Sequence, residues 1–240
     1  MANPIVVAEG LVKDIGATPV LRGVSLAIRP RGVLAVMGAN GAGKSTLLKV
    51  LGGIWGYRGG RLERFGKVVP RDAMPDPRIG ILGHQSFLYP HLTLLENLRL
   101  YARLWELSSV EERVMKAVQA VGLEWAAQDP VRTYSRGMRQ RGALARIWMI
   151  APQLWLLDEP YSGLDEEGRR MVTHMIQGAG ERGAGLVFTT HRIDEALQCA
   201  DAVTIMARGT MVWWSRTEGL DRADWDVLRS RYWGGRAFHA

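Results

Sequence analysis

Val33-Leu34-Ala35-Val36-Met37 runs directly into Gly38-Ala39-Asn40-Gly41-Ala42-Gly43-Lys44-Ser45, and Thr46-Leu47-Leu48 follows. The first five residues read as a buried strand, the next eight match G-x-x-x-x-G-K-[ST], and Lys44–Leu51 reads as a helix. A glycine loop between a strand and a helix is the context that separates a real phosphate cradle from a chance match. Glycines 38, 41 and 43 let the backbone wrap close enough for its N–H groups to point at phosphate oxygens. The start of the helix adds a dipole that favours anions. In such a loop Lys44 sits on the β- and γ-phosphates and Ser45 offers its hydroxyl oxygen to Mg²⁺. Ala39, Asn40, Ala42 and Thr46 complete the expected phosphate-binding set.

A second element depends on the first. Leu154-Trp155-Leu156-Leu157 ends in Asp158-Glu159-Pro160. A carboxylate at the end of a buried strand is costly unless a cation compensates it, and a Mg²⁺ held through the glycine loop supplies that compensation. Asp158 is therefore the expected metal ligand. Glu159, beside it, is the expected general base for an attacking water. Two adjacent carboxylates alone would say little; with the glycine loop they point to hydrolysis of ATP.

Working outward, apolar runs at Ile5–Val7, Ile79–Leu82, Leu186–Thr189 and Val203–Met206 join the two already quoted. Runs of this length suit strands covered on both faces, with crossover helices between them. The expected fold is α/β: a P-loop core with a mainly parallel sheet, an antiparallel β portion near the N-terminus and an inserted helical lobe. Residues 85–151 form the lobe in this reading, and 1–84 with 152–240 the core. The first helix of the lobe begins at a capping box, Thr93 to Glu96, followed by Leu94, Leu98, Tyr101 and Trp105 along one face. Glu111 to Val121 reads as a second helix. Near the end, 202–215 reads as a hairpin turning at Arg208-Gly209, and Trp225, Leu228 and Tyr232 share a helical spacing.

Composition narrows the function classes. The 240 residues contain one cysteine, Cys199, and carry a formal charge of +7. A lone thiol excludes an internal disulfide framework and fits a reducing cytosol, where it serves as a small hydrophobe. The start of the chain lacks the pattern of a secretory signal. No run approaches the ~20 apolar residues of a spanning helix, so a membrane role must come through a partner. The basic charge reads as a solvated surface, and no zinc-finger, helix-turn-helix or RNA-binding pattern accompanies it.

With these motifs in place, the chain resembles the ATP-binding subunits of ABC transporters over essentially its whole length. Tyr134-Ser135-Arg136-Gly137-Met138 stands where that family carries its signature, L-S-G-G-Q; Ser135 and Gly137 match, Arg136 and Met138 depart. The resemblance implies a head-to-tail dimer in which Ser135 and Gly137 of one copy close over the ATP on the other's P-loop. Arg136 either adds charge near that γ-phosphate or points to solvent. The resemblance makes Gln85 a metal and water sensor, Ser162-Gly163-Leu164-Asp165 a dimer-contact loop, and His191 the residue that holds the γ-phosphate and positions the water.

It also implies an integral membrane permease as partner, with the chain peripheral at the cytoplasmic face of the membrane and no direct nucleic-acid contact. Many relatives stack adenine on an aromatic near Ile15. Here Ile15 offers only apolar contact, which lowers nucleotide affinity and base selectivity. Gly83-His84-Gln85, 91–98 and 135–141 are similar to the haem-exporter ATPases of cytochrome c maturation. Drug, lipid and polysaccharide exporters share much of this pattern. The rival reading is a soluble ATPase of the same family acting on nucleic acid or the ribosome.

Overall fold

The computed structural model describes residues 3–72, 75–83 and 85–233. The strand that opens onto the glycine loop, β3, lies inside a six-stranded sheet. In chain order the elements are β1 (Val6–Ile15), β2 (Thr18–Ile28), β3 (Val33–Met37), α1 (Lys44–Leu51), β4 (Gly59–Arg64), β5 (Lys67–Val68) and β6 (Ile79–Leu82). Three helices follow: α2 (Leu94–Leu104), α3 (Val110–Ala120) and α4 (Arg136–Ile150). The remainder is β7 (Leu154–Leu157), α5 (Glu166–Glu181), β8 (Gly185–Thr189), α6 (Ile193–Cys199), β9 (Ala202–Ala207), β10 (Thr210–Arg216) and α7 (Arg222–Trp233).

The larger sheet has the order β10-β9-β3-β8-β7-β6. β3 pairs in parallel with β8 and β9, and β7 with β6 and β8, while β10 returns antiparallel from β9. Every residue of β3, β7 and β8 is buried, as continuous apolar strands covered on two faces must be. β3 divides its side chains between two cores: Val33, Ala35 and Met37 face one, Leu34 and Val36 the other. Chemistry in such sheets gathers at the carboxyl ends of the strands, which is where Gly38, Asp158 and Thr190 follow β3, β7 and β8.

The smaller sheet is antiparallel, in the order β2-β1-β4-β5. It corrects one assignment. The run Ile5–Val7 belongs here and not to the parallel core. β1 is covered on one face, with Val6, Ala8 and Leu11 buried while Glu9 is exposed. Three residues are too few to separate that alternation from a continuous apolar run.

Between β6 and β7 the chain is helical. At the start of α2, the Thr93 N–H donates to the Glu96 carboxylate (2.8 Å) and the Glu96 N–H to the Thr93 hydroxyl (3.1 Å). Leu94, Leu98 and Ala102 face inward, fully buried, while Tyr101 and Trp105 are half-buried. α4 is capped by Ser135.

The hairpin of β9 and β10 turns at Arg208 and Gly209, both with positive φ, the conformation two-residue hairpins favour. This turn braces the glycine loop: the Gly209 N–H donates to the Ala42 carbonyl (3.0 Å) and the Arg22 N–H to the Gly209 carbonyl (2.8 Å). A Cβ at Gly209 would lie 2.3 Å from the Val20 carbonyl oxygen. α7 buries Trp225, with Leu228 and Tyr232 against the same core. Burial pushes the Cys199 thiol up to about 11, as befits an inert packing group. Among the described residues, no helix is long and apolar enough to cross a membrane.

Candidate functional site

The glycine loop owes its shape to positions that reject a side chain. Gly38 has φ 148°, and a Cβ there would lie 2.1 Å from the Met206 carbonyl oxygen. Gly43, at φ 105°, caps α1, and a Cβ there would meet Val20 and Met206 at about 3 Å. No side chain caps α1 and no acidic residue occupies its first turn, so its N-terminal N–H groups and dipole present an anion-binding end. Ala39, Asn40 and Gly41 are exposed on the outside of the loop; Ala42, Lys44 and Thr46 are buried, and Ser45 half-buried.

Lys44 carries the central charge. Its Nζ donates to the carbonyls of Gly38 (2.7 Å) and Ala39 (2.9 Å). Burial pulls its pKa below the usual lysine value, while the nearby Glu159 and Asp158 carboxylates push it up. That pull places the loop of β3 and the end of β7 in one electrostatic neighbourhood.

Asp158 is 6 % exposed. The Thr189 hydroxyl donates to its Oδ1 (2.7 Å) and accepts the Glu159 N–H (2.8 Å). One hydroxyl at the end of β8 thus fixes both residues of the acidic pair. Glu159 has φ 47°, a conformation that costs a non-glycine residue energy and persists only where neighbours hold it. Two neighbours do so from the other side. The Ser162 N–H donates to the Glu159 carbonyl (3.0 Å), and the Gln140 amide donates to the carbonyls of Glu159 (3.3 Å) and Pro160 (3.1 Å).

A polar cleft of about 430 Å³ brings Gln85, Ser86, Arg136, Asp158 and Glu159 together. Gln85 lies exposed just past the end of β6; His84, singled out beside it, lies outside the described residues. His191 follows β8, exposed, and shares a small hollow with Glu159. Ile15 ends β1 opposite Thr18 and is 46 % exposed. Two residues past Thr18 on β2, Val20 abuts Gly43 of the glycine loop.

The signature segment is held by the start of α4 and the loop that follows Glu159. Ser135 caps α4, its hydroxyl accepting the Met138 N–H (3.2 Å). Gly137 packs so closely on the 162–165 loop that a Cβ would lie 2.8 Å from the Gly163 carbonyl oxygen. Arg136 is exposed. Its Nη2 donates to the Ser162 hydroxyl (2.7 Å) of the same chain. Arg141 adds a bond to Asp165 (3.1 Å). No hydrogen bond among the described residues joins Ser135 or Gly137 to the glycine loop.

Sequence reasoning passed over Thr189 and Gln140. Thr189 left one trace, a polar residue closing a wholly apolar strand; Gln140 left none, since its partners are 19 and 20 residues away.

The sequence model of the family described as ABC transporter matches residues 21–162. A relative in Bacillus subtilis, an uncharacterized ABC transporter ATP-binding protein, is 33% identical over 92% of this chain and 72% of its own length. A cytochrome c biogenesis ATP-binding export protein of Cupriavidus necator is 35% identical over 79% of this chain and 84% of its own. A Nod factor export ATP-binding protein of Ralstonia nicotianae is 31% identical over 88% and 67%. Among solved structures, an ATP-binding subunit of an ABC transporter superimposes with a TM-score of 0.84 at 25% identity, over 95% of this chain and 99% of that one.

Proposed function

The chain belongs to the ABC transporter family as an ATP-binding subunit and ATPase, and we propose that it powers export through a separate membrane subunit, acting as a head-to-tail pair of copies. The observation that carries the reading is the buried Lys44 ammonium in the field of both Asp158 and Glu159. It sets a phosphate-binding loop against a metal ligand and a base.

In this reading the loop N–H groups and Lys44 hold the β- and γ-phosphates, with Thr46 and the residues from Gly38 to Ser45 around them. Glu159 takes the proton of the attacking water, and its constrained backbone holds the carboxylate in one direction. His191, sharing a hollow with Glu159, holds the γ-phosphate and orients that water. Ser45, Gln85 and Asp158 supply the hard oxygen donors that Mg²⁺ takes; they would hold the ion, which would neutralise charge on the phosphates. Asp158, buried at a strand end, fits that duty. Ile15 gives the base an apolar contact in place of a stacking ring.

One chain uses its own phosphate loop yet presents a second helix start at Ser135, which no hydrogen bond among the described residues joins to that loop. A second copy turns this into a complete arrangement: Ser135 and Gly137 of each copy cover the nucleotide on the other. A related cassette of known structure is described as a dimer in a post-hydrolysis state bound to ADP and Pi. The helical region between β6 and β7, residues 85–151, is the lobe that passes motion to an integral membrane permease. In this reading the chain lies peripherally at the cytoplasmic face, with no nucleic-acid contact.

The roles of such relatives include cytochrome c biogenesis export, Nod factor export and linearmycin resistance. Export is common ground for the first two. Haem export for cytochrome c maturation is the first cargo to test, because the segments around Gln85 and Ser135 are similar to that subgroup. The experiment is affinity purification of the chain from its native membranes. We expect an integral membrane subunit to co-purify and to raise ATP turnover when reconstituted in vesicles. Recovery without membrane protein but with DNA or ribosomes would overturn the proposal.

A further inference from the structure

Arg146 lies in the second half of α4 and is 6 % exposed. It forms no ion pair among the described residues, and burial lowers its pKa. Its Nη2 donates to the Ile81 carbonyl (2.9 Å), while its Nε, also buried, has no acceptor. The guanidinium lies 5.1 Å from the centre of the Tyr101 ring and 5.7 Å from that of Phe87. A buried cation without a counter-charge is expensive, and an apolar residue of similar size commonly serves packing better. Packing alone does not account for an arginine here.

Its contacts supply a reason. Ile81 precedes Gln85 by four residues and Phe87 follows it by two. Phe87 stands at φ 55°, and the Tyr101 hydroxyl donates to its carbonyl. Two residues on, Tyr89 is held by the buried Asn97, which accepts its N–H (2.7 Å) and donates to its carbonyl (3.0 Å). α2 therefore secures the chain beyond Gln85. Arg146 grips it on both sides, by a hydrogen bond to Ile81 and by its charge against the Phe87 ring.

We propose that Arg146 is a positioning residue for Gln85, clamping both ends of the 81–87 segment to the helix whose first turn carries the signature. A shift of α4 against the sheet then reaches Gln85 through one side chain, and Ser135 and Gln85 move as a unit. The proposal rests on the reading of Gln85 as a metal and water ligand.

The test uses the full chain with Arg146→Lys, which keeps the charge but loses the planar fork that stacks and bonds at once. In the nucleotide-free protein, amide hydrogen exchange over 82–89 should rise about tenfold, with exchange in β3 and α1 unchanged. The Mg²⁺ concentration for half-maximal ATP turnover should rise, while nucleotide binding without Mg²⁺ stays constant. Gln85→Ala should produce the same Mg²⁺ shift, and Gln85→Ala with Arg146→Lys should go no further than Gln85→Ala alone.

Unchanged exchange over 82–89 in Arg146→Lys overturns the clamp, as does an additive double variant. If Gln85→Ala leaves the Mg²⁺ dependence unchanged, the metal reading of Gln85 fails, and the exchange result still decides the clamp. Should Arg146→Lys fold poorly, Phe87→Leu at its exposed site removes one ring from the opposite side. It should raise exchange over the same segment, and unchanged exchange there overturns the proposal.

Discussion

Glu159→Gln should lower steady-state ATP turnover by about 10²–10⁴-fold, the usual contribution of a general base. The amide has the shape of the carboxylate but cannot accept the water's proton. Everything that holds the residue in place acts on its backbone: Thr189 accepts its N–H, and Ser162 and Gln140 donate to its carbonyl. Glutamine leaves all three untouched, so the turn at φ 47° survives and ATP still binds. Binding without hydrolysis should accumulate the closed pair. Light scattering with MgATP should therefore report a stable dimer of the variant, alongside a near-zero rate in a phosphate-release assay. Turnover close to wild type would remove Glu159 from the role of base.

Lys44→Ala should weaken ATP binding by roughly 10- to 100-fold, since hydrogen bonds to a charged group contribute about 1.5–3 kcal/mol. The amine is already desolvated and aimed by the Gly38 and Ala39 carbonyls, so little ordering remains to be done when a phosphate arrives. The loop itself should stay folded, because its path is set by the close approaches at Gly38 and Gly43. The rise in Tm that ATP gives the wild type should largely vanish in the variant. The pH dependence follows from the burial of the ammonium. Burial favours the neutral amine and lowers its pKa, whereas phosphate binding favours the ammonium. Wild-type affinity should thus fall as the pH rises through this lowered value, and the affinity of Lys44→Ala should not. Calorimetric titration at several pH values checks both statements.

The parts legible in the sequence are those whose chemistry is packed into a few consecutive residues. Val33–Lys44 and Leu154–Glu159 each lead from a buried strand straight to a charged group, and both strands lie where they were expected. The capping box at Thr93 and the hairpin at Arg208-Gly209 are local for the same reason. What escaped depends on residues distant in the chain. Thr189 meets the acidic pair from about 30 residues away, Arg146 reaches Ile81 across 65, and Arg136 finds Ser162 across 26. No local pattern marks such partners. β4 escaped on other grounds, since its sequence GGRLER is largely polar and buries only two of its six residues.

Arg136 also alters what the signature means in this chain. Where the family pattern places glycine, this arginine ties the start of α4 to the loop that follows Glu159. The segment expected to serve another copy's nucleotide is fastened to the stretch of this copy's own chain that holds Glu159. Gln140 and Arg141 reinforce the same junction.

The central claim is that each hydrolytic site needs parts from two copies, and complementation of two inactive variants tests it most directly. Lys44→Ala removes the phosphate loop's charge; Ser135→Arg blocks the signature while leaving the copy's own loop intact. In a two-fold pair, a mixed dimer would join the sound loop of one variant to the sound signature of the other. At an ATP concentration that just saturates the wild type and leaves Lys44→Ala largely empty, the account predicts that each variant alone is nearly inactive. Equal mixing should then restore turnover to about a quarter of wild type, because half the dimers carry one good site of two. A mixture no more active than the sum of its parts would contradict it, as would full activity of Ser135→Arg alone.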